Sequence, residues 1–273
     1  MKILTTTKEL IDYRKTLTCN IGLVPTMGAL HQGHISLIKK SVQNHDNTIV
    51  SIFVNPTQFL AGEDFTTYPK KQEADLKICE LAGVNAVFMP DIDEIYFKDE
   101  PSILAPMKQS YILEGYQRPK HFDGVLRVVL KLLNLTKPTN AYFGKKDSQQ
   151  LFLINNMVET LFINTQIIGC EIIRQENGLA LSSRNAYLND EEKLKALNIS
   201  KALKVATQEI MRGELHVKTI ESKMQEVLNC LDVEYIAITD REFNGIENIR
   251  LKNSMILVAA KVGETRLIDN IWI

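Results

Sequence analysis

A charge surplus of either sign is missing from this 273-residue chain: 32 Lys+Arg against 33 Asp+Glu leave a formal net charge of −1. Nucleic-acid-binding domains usually carry a basic excess, so no nucleic-acid partner is expected. No apolar run approaches the ~18 residues that a membrane-spanning helix needs, so no membrane partner is expected either. Met1-Lys2-Ile3-Leu4 runs into Thr5-Thr6-Thr7, too short and too polar for a signal peptide, which predicts a cytoplasmic location. Cysteine is scarce: Cys19, Cys79, Cys170 and Cys230 stand far apart in no pair motif and are read as reduced, buried thiols. Internal repeats, low-complexity segments and a Gly-x-Ser-x-Gly nucleophile elbow are all missing. Hydrophobic residues are plentiful at 45%, ample for a core in one large or two modest domains.

Through the first two thirds of the chain, β-type apolar runs alternate with helix-type patterns. Ile21 to Val24 is such a run, stopped by Pro25, and Thr48 to Val54 is another, as for a strand buried on both faces. Lys71 to Leu81 reads as a helix with Leu76, Cys79 and Leu81 inward and Gly83 as its stop. Asn85 to Met89, Asn140 to Phe143 and Thr165 to Ile173 read as strands. Val125 to Leu133 carries a helical stripe that stops near Lys137-Pro138, and Gln149 to Leu161 reads as a helix. Such alternation predicts a parallel sheet with helices on both faces, whose ligands bind at the carboxyl ends of the strands. After about Ile173 the pattern changes. A long amphipathic helix over Glu191 to Arg212, with Leu194 among its apolar positions, and a second over Val217 to Leu231 precede three β-type segments. These are Val233 to Ile238, Ser254 to Lys261 and Arg266 to Ile271. That order predicts a separate, smaller α+β unit, with the boundary in the Gly/Asn/Ser-rich loop near 175.

Five polar clusters follow the predicted strands or the loop between the units. In the first, Val24-Pro25-Thr26-Met27-Gly28-Ala29-Leu30 leads into His31-x-Gly33-His34 and then a helical apolar pattern. Unpaired backbone N–H groups and the positive end of the helix dipole make such a helix start an anion site, to which two imidazoles add hydrogen bonds. The other readings are a purely structural cap and a zinc site, for which no third ligand stands at suitable spacing. The second cluster is Asn55-Pro56-Thr57-Gln58-Phe59, either an amide-lined pocket edge or a plain Asn-Pro turn. Arg118 to Gly124 is the third, a binding loop or a surface loop with Asp123 as N-cap. Gly144-Lys145-Lys146-Asp147-Ser148-Gln149-Gln150 is the fourth, where a lysine offers a mobile point charge for phosphate or joins a solvated charge run. Leu181-Ser182-Ser183-Arg184-Asn185 completes the set, with hydroxyls and a guanidinium suited to phosphate oxygens.

Six segments, in order and over nearly the whole length, resemble the pantoate–β-alanine ligase (pantothenate synthetase) family: VPTMGALHQGH, SIFVNPTQF, RPKHFDGV, FGKKDSQQL, LALSSRNAYL and VAAKVGETRLIDN. That family belongs to the nucleotidyltransferase superfamily, which also holds the class I aminoacyl-tRNA synthetases. The resemblance implies a Rossmann-like parallel sheet with flanking helices over 1–175 and a smaller C-terminal α+β lid domain over 176–273. It implies that ATP and (R)-pantoate form a pantoyl adenylate, which β-alanine converts to pantothenate and AMP. It further implies Mg²⁺ entering with ATP, and a homodimer. By the same resemblance His31, His34 and Lys146 contact the phosphates and are the catalytic groups. Ser182, Ser183 and Arg184 bind the triphosphate, while Gly144 and Asp147 fix the adenosine. Gln58 and Gln150 hold pantoate, with Met27 lining both sites, and Asn55, Arg118 and His121 give support. Asp75 matches a family acid near magnesium, although Ala74 stands where relatives often have a second acid. Lys145, Ser148 and Lys120 depart from the usual acidic, aromatic and glycine residues; Lys145 puts a like charge beside Lys146 that can change nucleotide affinity. Another adenylate-forming or nucleotidyl-transferring enzyme of the superfamily, and a nucleotide-binding regulator without catalysis, are the alternative readings.

Overall fold

The computed structural model describes all residues, Met1–Ile273. They form two compact units, Met1–Lys145 with Gln149–Glu171, and Lys146–Ser148 with Ile172–Ile273.

The first unit is built on a six-stranded sheet: β1 (Lys2–Leu4), β2 (Ile21–Thr26), β3 (Asn47–Ile52), β4 (Ala86–Phe88), β5 (Asn140–Gly144) and β6 (Gln166–Cys170). All pairings are parallel, in the order β1-β4-β3-β2-β5-β6. Its helices, in chain order, are α1 (Thr7–Lys15), α2 (Gln32–Asn44), α3 (Gln72–Leu81), the single turns α4 (Ile92–Ile95), α5 (Met107–Ser110) and α6 (Glu114–Gln117), α7 (His121–Thr136) and α8 (Ser148–Thr160). Alternation of side chains along the strands puts Val24, Val50, Val87 and Tyr142 on one face, where Leu37 and Ile38 of α2 and Cys79 of α3 complete a buried cluster. Gly22 lets α2 come this close, since a Cβ there would lie 2.1 Å from Ser41 Oγ. The chain leaves β2 toward β3 but leaves β5 toward β6, on opposite sides. The sheet order therefore reverses between β2 and β5, the place where open parallel sheets form a ligand crevice at the strands' carboxyl ends.

The second unit holds α9 (Asp190–Met211), α10 (Val217–Leu228) and an antiparallel sheet of β7 (Asp232–Asp240), β8 (Ser254–Val262) and β9 (Thr265–Trp272). The inner helix faces, including Ile199, Leu203, Ile220 and Met224, share one buried core with Ile256, Val258 and Ala260 of β8.

Several local expectations need correction. The β2 strand runs through Pro25 to Thr26. Thr26 turns its carbonyl to β3, accepting from Phe53 N at 3.0 Å, so the N of Pro25 faces β5. Pairing with β5 covers only Gly22 and Leu23, so no ladder bond is lost there. The polar Met1–Lys15 stretch gives no periodic signal for β1 and α1, although Thr6 and Glu9 form a reciprocal capping box. Leu81 (76% exposed) and Leu194 (68%) lie outside the core. Asp123 does not cap α7: Lys120 holds that position at φ +68°, and Asp123 Oδ1 accepts from Ala105 N at 2.8 Å. All four cysteines are reduced, but only Cys79 and Cys170 are buried; Cys230 is exposed.

Candidate active site

The turn from β2 into α2 is held from both sides. His31 is the N-cap of α2: its Nδ1 accepts from Gly33 N at 3.1 Å, and His34 Nδ1 accepts from His31 N at 3.4 Å. This is a capping box made of two imidazoles, their ring centroids 4.1 Å apart. A neutral ring that accepts through Nδ1 carries its proton on Nε2, so both rings present N–H donors at the positive end of a 13-residue helix. On the other side lies Asp75 of α3, buried at 2% exposure. Its Oδ2 accepts from Ala29 N at 2.9 Å and its Oδ1 from Leu30 N at 2.8 Å. Those bonds hold Gly28 (φ +85°) and Ala29 (φ +50°) in the left-handed region, a conformation that L side chains adopt at a cost. Each carboxylate oxygen of Asp75 thus takes one backbone N–H of the turn. No group of three His, Cys, Asp or Glu side chains is placed to hold a metal ion. The geometry gives Asp75 a positioning role at this turn.

The second cluster forms a 3₁₀ turn, Pro56–Gln58, at the end of the chain's run out of β3. Asn55, 1% exposed, ties it down. Its Oδ1 accepts from Tyr96 Oη at 2.6 Å and Thr57 Oγ1 at 2.9 Å, and its Nδ2 donates to Gln58 Oε1 at 3.0 Å and Gly124 O at 3.1 Å. With its oxygen fixed, the Gln58 amide turns its Nε2 to Met27 Sδ, 3.1 Å away. Gln58 and Met27, 31 residues apart, therefore meet. Gln150 stands half-buried in the first turn of α8. Its neighbour Gln149 is a structural residue missed by sequence reading. It is buried, accepts from Glu114 N at 3.1 Å and donates to the carbonyls of Gln109 (2.6 Å) and Ile112 (2.9 Å).

Gly124 sits where α7 presses on that 3₁₀ turn: a Cβ there would lie 2.1 Å from Thr57 O and 2.7 Å from Gln58 N. Alanine would add helix propensity of about 1 kcal/mol. The atoms it meets are backbone, however, so the clash outweighs that gain. Gly124→Ala should cost about 1–3 kcal/mol by urea denaturation, as other overpacked sites do. Equal stability would contradict the close contact.

Arg118 and His121 support Gln58 from behind. Arg118 makes a two-pronged pair with Glu63 (Nε–Oε1 2.6 Å, Nη2–Oε2 2.7 Å), and its Nη2 donates to Gln58 O at 3.3 Å. Burial pushes the Glu63 carboxyl up, but the hydrogen bonds and charge of Arg118 outweigh it and the net shift is down. His121 Nδ1 lies 2.7 Å from Gln58 O, which can only accept, so the proton is on Nδ1 and Nε2 accepts from Arg118 Nη1 at 3.1 Å. Burial, then the neighbouring Arg118 charge, push the His121 pKa down to about 4 from 6.5, against the opposing bond to Gln58 O. In the unfolded chain His121 binds a proton near pH 6.5, but in the folded chain only near pH 4. Stability should therefore fall as pH drops from about 6.5 to about 4, by roughly 2 kcal/mol already at pH 5. Urea titrations at pH 7 and pH 5 check this, since His121→Gln should lose that share of the slope.

The fourth cluster forms a 3₁₀ turn, Lys145–Asp147, after β5. Lys145 pairs with Glu171. Within the second unit, Lys146 Nζ lies 3.4 Å from Asp147 Oδ1, a loose pair, and Ser148 is buried. Ser182 caps the 3₁₀ turn Ser183–Tyr187, its Oγ accepting from Arg184 N at 3.3 Å. The structure thus brings together Met27 with Gln58, His31 with His34, and Asn55, Gln58, Arg118 and His121 in one network. Lys146, Asp147, Ser182, Ser183 and Arg184 belong to the other unit.

Such a parallel sheet, with two imidazoles capping a helix start beside its switch point, defines an α/β protein whose helix start has the chemistry to suit an anionic group. The pantoate–β-alanine ligase family model matches residues 2–272. A pantothenate synthetase of Campylobacter curvus is 58% identical over all of both chains. Among solved structures, pantothenate synthetase from Thermus thermophilus is 35% identical with a TM-score of 0.95, covering 100% of this chain and 99% of that one. The Francisella tularensis pantoate–β-alanine ligase, solved in complex with β-γ ATP and β-alanine, is 40% identical with a TM-score of 0.83, covering 100% and 97%. The chain belongs to the pantoate–β-alanine ligase family: it is an ATP-dependent ligase that joins pantoate to β-alanine.

Proposed function

We propose that the chain makes pantothenate in two steps at these residues. The carboxylate of (R)-pantoate attacks the α-phosphorus of ATP, and pyrophosphate leaves with the bonding electron pair. The amine of β-alanine then attacks the acyl carbon of the pantoyl adenylate; AMP leaves, and the amine's proton is released. A carboxylate oxygen is a poor leaving group near neutral pH, whereas AMP is a good one. Charge grows on phosphate oxygens in the first step, so fixed donors and cations supply most of the catalysis. The observation that carries the reading is the imidazole pair that caps the start of α2.

In this reading His31, His34 and Lys146 meet the phosphates, and Ser182, Ser183 and Arg184 hold the triphosphate end. Gly144 and Asp147 take the adenosine, and Gln58, Gln150 and Met27 take pantoate. Asn55, Arg118 and His121 keep Gln58 in place. Magnesium comes in on ATP, held by its phosphate oxygens, and Asp75 is not assigned to it. A cytoplasmic homodimer whose residues 176–273 act as a lid, protecting the adenylate from water, completes the proposal.

Exchange of labelled pyrophosphate into ATP, run with Mg²⁺ and without β-alanine, tests the route. Exchange should require pantoate, and adding β-alanine should yield pantothenate and AMP in equal amounts. Exchange with another acid only would favour a different adenylate-forming enzyme. ATP binding with no exchange would favour a regulator.

A further inference from the structure

The last strand of the chain reaches back 124 residues to the backbone of Lys146. Asn270 of β9, 2% exposed, donates from Nδ2 to Lys146 O at 2.7 Å. Its own orientation is set by neighbours. Trp272 Nε1 donates to Asn270 Oδ1 at 3.0 Å, which settles which end of the amide faces Lys146. The Trp272 ring is covered by the Arg241 guanidinium, 4.4 Å from its centroid. Asp269, 4% exposed, accepts both prongs of Arg174 (Nη1–Oδ2 2.5 Å, Nη2–Oδ1 2.9 Å), and Arg174 Nη2 also donates to Asn270 O at 3.2 Å. All of these residues lie in the unit formed by 146–148 and 172–273, although Lys145 and Gln149 on either side belong to the sheet unit.

We infer that Asn270 is a positioning residue for Lys146, braced by the Arg174–Asp269 pair. The inference rests on the proposed phosphate-binding role of Lys146. A lysine ammonium sits at the end of a four-carbon flexible stem, so the place of its Cα limits where the charge can act. A shift of about 1 Å in such a group is enough to cost about 10²-fold in rate. A carbonyl bonded to a buried, oriented amide prevents that shift, and it ties the lysine to β9.

Asn270→Asp is the selective variant. It keeps the shape and the acceptor for Trp272, but sets an oxygen against the Lys146 carbonyl. Pyrophosphate exchange should fall in kcat by about tenfold, with KM for pantoate moved less than about twofold, since only charge placement changes. Trp272 is the chain's one tryptophan, so its emission reports on this same contact and should remain that of a folded chain. In a Lys146→Ala background Asn270→Asp should add less than about twofold. Equal losses in both backgrounds, a rise in pantoate KM at constant kcat, or no loss would overturn the inference. Near-wild-type exchange in Lys146→Ala alone would instead overturn the role of Lys146 on which it rests. Should Asn270→Asp unfold, Trp272→Phe removes the orienting donor and leaves Asn270. It should lower kcat by about threefold with pantoate KM unchanged, and an unaltered kcat there would count against the inference.

Discussion

Lys146→Ala should lower pantoate-dependent pyrophosphate exchange by roughly 10²–10³-fold, the scale for one preorganised electrostatic contact. The structure gives reasons to expect the full effect. Lys146 Nζ has only a loose partner, Asp147 at 3.4 Å. Its neighbour Lys145 is bound to Glu171 and cannot take over without first breaking that pair. Because the contact strengthens as charge grows on the phosphates, kcat should carry most of the loss and KM for ATP little of it. Steady-state exchange rates within about threefold of wild type would remove Lys146 from the mechanism.

Asp75→Asn should lower the same exchange by about 10²-fold while leaving the Mg²⁺ half-saturation unchanged, the size expected when catalytic groups shift by about 1 Å. The buried carboxylate accepts two backbone N–H groups, from Ala29 and Leu30. An asparagine can accept one and must turn its NH₂ group toward the other. A buried donor left without its acceptor costs about 1–3 kcal/mol. The turn relieves that cost by relaxing Ala29 out of φ +50°, and His31, two residues on, moves with it. A thermal melt should show a lower midpoint, a readout independent of activity. A roughly tenfold rise in the Mg²⁺ requirement, with full rate restored at high Mg²⁺, would make Asp75 a metal ligand and defeat the positioning role.

Much of the sheet was legible because its strands are buried on both faces: Val24, Val50, Val87 and Tyr142 leave apolar runs that no loop would carry. The histidine turn was legible because helix starts have chemical signatures. The edge strand β1 was not. Lys2 and Ile3 are exposed, and only Leu4 is buried, so three residues leave no pattern. Leu81 and Leu194 show the reverse failure, apolar residues at helical spacing with no partner element over them. Gln149 was overlooked beside Gln150 because nothing local marks a glutamine that bonds to a loop 37 residues away.

By itself, the sequence determined the alternation of strands and helices and the helix start at the histidine turn, which rest on short-range signals: periodicity, capping residues and glycine at turns. The family followed from six segments that resemble it in order. Only the tertiary structure decided what the polar residues are bonded to. It made Asp75 the anchor of the histidine turn, and it paired Lys145 with Glu171. It also placed Asn270 on the carbonyl of Lys146. A carboxylate, a lysine or an amide can serve many partners. Which one it serves depends on contacts between residues tens to more than a hundred positions apart, and no local pattern encodes those.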